Sequence, residues 1–131
     1  MPVVRVRNAD AALGLVDRLA TACLDVIEIT TTIDGWDHVL RTTAETRPDI
    51  CFGAGPVTTP RLARQAVAAG ARFCVSPCLV PDVRAELSVT GTPLIEGGTT
   101  PTEVLGAAQR SDSAARKLFA GTDGPSTSPA T

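Results

Sequence analysis

Ile50-Cys51-Phe52-Gly53-Ala54, Pro60-Arg61-Leu62-Ala63-Arg64-Gln65-Ala66-Val67-Ala68-Ala69-Gly70 and Phe73-Cys74-Val75-Ser76 read, in that order, as one strand–helix–strand unit. The two outer runs are short, apolar and bounded by turn residues. The middle segment opens on Thr59-Pro60, a capping hydroxyl followed by a proline in the first helical turn. It closes on Gly70, a residue suited to ending a helix. The same unit repeats outward in both directions. Apolar runs recur at Val3–Val6, Val26–Thr30, Pro93–Ile95 and, more weakly, Ala115–Phe119, with a period of about 22 residues. Between them lie helix-like stretches at Asp10–Ala22, Trp36–Thr43, Pro81–Leu87 and Pro101–Gln109. Thr100-Pro101 with Glu103 forms a capping-box pattern at the last of these.

Strands joined through helices at this spacing pair in parallel through right-handed crossovers. Two architectures fit, a doubly wound open sheet and a (βα) barrel. The first strand is followed by Arg7-Asn8-Ala9-Asp10, with no dinucleotide-binding glycine fingerprint, and Gly53-Ala54-Gly55 is a weak phosphate-loop signal. Several strands end in small or polar residues: Glu28-Ile29-Thr30, Gly53-Ala54-Gly55, Ser76-Pro77 and Glu96-Gly97-Gly98. Such endings favour the barrel, whose active site gathers at the C-terminal strand ends.

The composition fits one aliphatic-cored domain. The chain has 131 residues, 44% hydrophobic but only 3% aromatic, and a formal net charge of −2. That charge gives no electrostatic basis for nucleic acid or an anionic membrane as partner. No apolar run reaches the length of a membrane span, and the N-terminal residues do not read as a signal peptide, so a cytoplasmic location is expected. Cys51 and Cys74 lie in apolar runs and read as small packed hydrophobes. His38 is the sole histidine, and neither a zinc site nor a disulfide is expected. Trp36 and His38 read as surface or packing residues, and Arg5 as a pocket or rim cation.

Two residues stand out chemically. Glu28 interrupts the aliphatic strand Val26-Ile27-Glu28-Ile29-Thr30 and shares a face with Val26 and Thr30. A carboxylate there either sits at an exposed rim or is kept for proton transfer, and burial would raise its pKa toward a useful range. Lys117 is the only lysine beside eleven arginines. It is either a compositional leftover or an amine kept because guanidinium cannot form a Schiff base.

An ordered set of motifs carries a resemblance: Val26-Ile27-Glu28-Ile29-Thr30, Gly53-Ala54-Gly55-Pro56-Val57, Ala69–Pro77, Thr92-Pro93-Leu94-Ile95-Glu96-Gly97, Thr100–Val104 and Lys117-Leu118-Phe119. Over Pro2 to Gly121 the chain resembles the 2-dehydro-3-deoxy-phosphogluconate / 4-hydroxy-2-oxoglutarate aldolases. The resemblance implies a TIM-type (βα) barrel and a class I lyase of carbohydrate metabolism that works without cofactor or metal on a small 2-oxo acid. It implies Lys117 as Schiff-base lysine, Glu28 as acid/base, and Pro77 and Phe119 as walls of the pyruvate pocket.

The chain departs from the family at Thr32 in place of an arginine, Pro56 in place of a threonine, Cys78 in place of a glycine, and Glu96 in place of a proline. Arg116 would face outward beneath a helix, an awkward place for a charge. The expected organisation is an incomplete barrel over residues 1–121, about six of eight βα units, followed by a low-complexity tail over 122–131. Its open edges call for a homo-oligomer or a partner chain. An active aldolase and a catalytically impaired interaction module both remain open at this point.

Overall fold

The computed structural model describes residues 1–98 and, as backbone, the strand at 113–118. The element order is β1 (Val3–Val4), α1 (Ala9–Thr21), β2 (Val26–Thr30), α2 (Trp36–Thr46), β3 (Cys51–Gly55), α3 (Pro60–Ala68), β4 (Phe73–Ser76), α4 (Pro81–Thr90), β5 (Leu94–Gly98) and β6 (Ser113–Leu118). All six strands are parallel and lie side by side in sequence order. That order decides between the two architectures. A doubly wound sheet reverses its strand order and carries helices on both faces. An unbroken 1-to-6 order with crossovers of one hand winds a barrel, with the helices all on one side. The chain is therefore a TIM-type (βα) barrel in part, with six strands among the described residues.

The local causes are those read from the sequence, with additions. Thr59 accepts a hydrogen bond from the Leu62 amide at 3.2 Å, and Pro60 opens α3. Asn8 does the same for α1, accepting from the Ala11 amide at 2.9 Å. Gly70 has φ +104 and ends α3 in a conformation few other residues adopt. Helix α2 runs on past Thr43, whose hydroxyl donates back to the Val39 carbonyl at 2.9 Å. β1 stops at Val4, shorter than the apolar run, and Val6 instead packs beside the core. β5 extends through Gly97 and Gly98, which pair with β6. The predicted helix over Pro101–Gln109, with its capping box, and the tail over 122–131 lie outside the described residues.

The two faces of the sheet have different jobs. Val4, Ile27, Ile29, Phe52, Ala54, Cys74 and Leu94 meet the buried helix residues Val16, Val39, Leu40, Ala63, Ala66, Val83 and Leu87. Burial of the Val, Leu, Ile and Phe side chains among them stabilises by about 1.5–3 kcal/mol each. The opposite face carries Val3, Glu28, Gly53 and Phe73 at one register level. Phe73 and Val75 are buried yet stand apart from the helix-side cluster. They belong to the barrel interior. Trp36 packs against the core, while His38 and Arg5 are exposed, so Arg5 sits in solvent rather than in a pocket.

The cysteines need one correction. Cys74 is a buried core residue, but Cys51 is only half-buried, because it starts β3 on the interior face opposite half-exposed Val26. Burial pushes the Cys74 thiol from 9.0 up to about 12. Between those values the unfolded chain loses its proton while the folded one keeps it. Stability is therefore full below about pH 9 and falls with rising pH by at most about 1.4 kcal/mol per unit from this group. In the native protein a thiol reagent at pH 8 should label Cys23 and Cys78 promptly, Cys51 slowly and Cys74 only on unfolding. Mass spectrometry of labelled peptides checks the order.

Candidate active site

Glu28 is the first site residue placed by the sheet. It sits mid-strand in β2, with its amide donating to the Pro2 carbonyl at 3.0 Å, and is 4% exposed. Its neighbours across the ladder are Val3 and Gly53. The carboxylate extends toward the C-terminal end of β3: a Cβ added to Gly55 would lie 2.5 Å from Glu28 Oε1 and 2.9 Å from Val75 Cβ. Gly55 is thus the hollow that admits the carboxylate. Gly53 plays the same part for Phe73, whose ring occupies the space a Cβ there would need. Burial excludes the rim reading of Glu28, and the residue opens onto the barrel interior rather than the helix side.

The strand ends around it are tied down. Thr30 is fully buried, and its hydroxyl donates to the Val4 carbonyl at 2.9 Å. Thr31 donates from its amide to the Gly55 carbonyl at 2.8 Å and from its hydroxyl to the Pro56 carbonyl at 2.7 Å. The Val57 amide donates to the Val75 carbonyl at 2.9 Å. Pro56 has no amide to give, yet its carbonyl is held by Thr31 and the turn is bound to β2 and β4. Ser76 Oγ donates to the Cys78 carbonyl at 2.9 Å, fixing the turn that contains half-buried Pro77. Thr32 is exposed.

Lys117 enters through backbone register. It pairs with Gly97 on β5. Ser76, the last residue of β4, pairs with Glu96, which pairs with Arg116, one residue before Lys117. Following the paired positions from Val75 to Ile95 and on to Gly97 keeps to the interior face, so Lys117 is on the face of Glu28. Glu28 is level with Phe73 at the start of β4, and Lys117 lies one residue past the level of Ser76 at its end. That offset is about one residue per strand crossed, the stagger of a barrel with eight strands and a shear of about eight. Strands β2 and β6 are both even-numbered, and one interior layer of such a barrel draws its side chains from alternate strands. In a flat sheet four strand spacings of about 4.8 Å would separate them. In an eight-stranded barrel, the second and sixth strands stand on opposite walls.

Phe119 lies outside the described residues. Among the described residues no cluster of three His, Cys, Asp or Glu side chains is arranged to hold a metal ion, and no helix is long and apolar enough to cross a membrane. Sequence reasoning missed the two glycine hollows, and it read Glu96 as a polar strand ending and a departure from the family but not as fully buried on the helix-side face. The signal for Glu96 was present: Leu94-Ile95-Glu96 is a carboxylate in an apolar run, the same anomaly that singled out Glu28.

The described strands thus form a parallel barrel wall with an interior carboxylate on β2 and a lysine position on the same face of β6. The comparisons agree. The family model "KDPG and KHG aldolase" matches residues 1–124, and the chain belongs to that family. It is 30% identical over 105 residues to the 2-dehydro-3-deoxy-phosphogluconate aldolase of Dickeya dadantii, covering 80% of this chain and 49% of that protein. It is 34% identical over 104 residues to the enzyme of the same name from Treponema pallidum, covering 79% and 50%. Among solved structures, the KDPG aldolase of Legionella pneumophila, with pyruvate captured at low pH as a covalent carbinolamine, superposes with a TM-score of 0.72 at 31% identity. That match covers 80% of this chain and 51% of the other. The chain thus spans about half the length of the curated relatives it matches.

Proposed function

We propose that the chain carries the catalytic pair of a class I aldolase. It would cleave a 2-oxo acid such as 2-dehydro-3-deoxy-phosphogluconate or 4-hydroxy-2-oxoglutarate to pyruvate and an aldehyde. The observation that carries this reading is the common interior face of Glu28 and Lys117, with an offset that matches the stagger of an eight-stranded barrel. Lys117 is the nucleophile. Its neutral amine adds to the C2 ketone and gives a carbinolamine. Glu28 supplies a proton to the departing hydroxyl, water leaves, and an iminium forms. The iminium accepts the electron pair of the C3–C4 bond as that bond breaks, and Glu28, now the base, takes the proton of the C4 hydroxyl. The aldehyde departs, leaving an enamine. Protonation at C3 returns the iminium, and water releases pyruvate and the free lysine. One carboxylate accordingly moves protons in both directions, and its nearly complete burial keeps bulk water from the exchange.

Pro77, which directly follows β4, and Phe119 are assigned to the wall of the pyruvate pocket. Residues 1–121 form the barrel portion and 122–131 the tail, and the cytoplasm is the place of action. β1 pairs only with β2, and β6 only with β5, among the described residues. Those open edges favour a second element of the reading: another copy or another chain completes the wall. A catalytically impaired module that keeps only this assembly role is the alternative the same edges support.

Pyruvate release from each of the two 2-oxo acids, followed across a dilution series with sedimentation alongside, tests both. The aldolase reading expects release that falls as the assembly dissociates. Assembly without release from either acid would favour the module.

A further inference from the structure

We infer that Glu96 is a positioning residue that fixes the register of β6 and thereby puts Lys117 on the face of Glu28. The consequence for Lys117 rests on the Schiff-base reading, and the register itself does not. Glu96 is fully buried on the helix-side face, and its Oε1 lies 3.4 Å from Arg84 Nε on α4. On its other flank it registers opposite Arg116 of β6. Opposite charges at directly paired positions favour the pairing that brings them together, and a buried carboxylate raises the cost of losing it. Arg116, awkward beneath a helix when read alone, stands at the register level of a carboxylate.

The rest of β6 says little about register. Ser113-Ala114-Ala115 offers small residues that suit either face, and Gly97 and Gly98 opposite its end have no side chains. The ladder is irregular between Leu94 and Ile95, where the partner jumps from Ser113 to Ala115. Pairing below that point therefore does not dictate pairing above it. A slip of one residue would set Lys117 opposite Glu96 and turn Arg116 to the interior. Glu96 decides between two adjacent cations, and arginine wins because its guanidinium offers a fork to a carboxylate where lysine offers a point charge. The carboxylate on the helix side thus keeps the amine free on the interior side.

Because Lys117 is the only lysine, reductive methylation with carbon-13 formaldehyde gives one lysine signal to read by NMR, with the Met1 amine as a second resonance. The full chain should show a single Lys117 environment. Glu96→Gln and Arg116→Gln should each produce a second Lys117 signal with a different pH midpoint. Each should also slow capture of pyruvate by borohydride about tenfold or more, and the double variant should be no worse than either single one. Arg84→Gln, which removes the ion pair on the α4 side only, should lower thermal stability and leave one Lys117 signal. An unchanged single signal in Glu96→Gln would overturn the proposal. So would equal effects of Arg84→Gln and Glu96→Gln on Lys117, or additive losses in the double variant. If Glu96→Gln fails to fold, Arg116→Lys takes its place and should again split the signal, whereas one unsplit signal would refute the register role. If the parent chain captures no pyruvate, the Schiff-base reading fails while the lysine signals still decide the register.

Discussion

Glu28→Gln should slow aldol cleavage by about 10²–10⁴-fold, the usual worth of a positioned acid/base, with little change in fold. The amide keeps the shape of the carboxylate but cannot exchange a proton with the carbinolamine or the C4 hydroxyl. Glu28 is buried in the interior and its Oε1 fills the hollow over Gly55, so an isosteric replacement leaves the packing in place. The loss should fall on kcat, because the residue moves protons rather than holding the substrate. Thermal unfolding of the variant should stay close to the parent, since the amide keeps the volume and hydrogen-bonding shape of the carboxyl group. A Glu28→Gln chain with parental kcat would remove Glu28 from the mechanism.

Gly53→Val should be the most damaging of the conservative-looking apolar substitutions. The ring of Phe73 occupies the position of the missing Cβ, and Phe73 is itself buried against the sheet. Overfilling a packed interior costs about 1–3 kcal/mol and sometimes more. A β-branched side chain adds two methyl groups on top of the clash. For a domain of this size that loss lowers Tm by several degrees or prevents folding, as calorimetry or circular dichroism would show. Gly53→Ala paired with Phe73→Leu should recover part of the loss of Gly53→Ala alone, because the two positions share one volume. Additive losses would mean that the ring does not depend on Gly53.

The same contacts explain what could be read from the sequence. Val26–Thr30 and Phe73–Ser76 are strands with the bounds their apolar runs imply, since each run is short and flanked by turn or charged residues. Glu28 was legible because a carboxylate among aliphatics is costly without a purpose. The end of β5 was not, because Gly97 and Gly98 resemble a loop until β6 lies beside them. The residue period left two windings possible; the polar strand ends favoured the barrel, and the pairing of neighbours in sequence order established it. The relation between Glu28 and Lys117 was the least accessible part. It depends on the stagger accumulated over four strands and on the irregularity at Leu94 and Ile95. No one-dimensional repeat records either.

The most direct test of the central claim uses the lone lysine. The full-length chain is incubated with pyruvate, reduced with borohydride, digested and mapped by mass spectrometry. A three-carbon adduct on Lys117 and on no other amine, absent from Lys117→Arg, is the predicted result, because arginine keeps the charge but cannot form the iminium. An unmodified Lys117 in the folded chain, or an adduct that survives Lys117→Arg, would contradict the account.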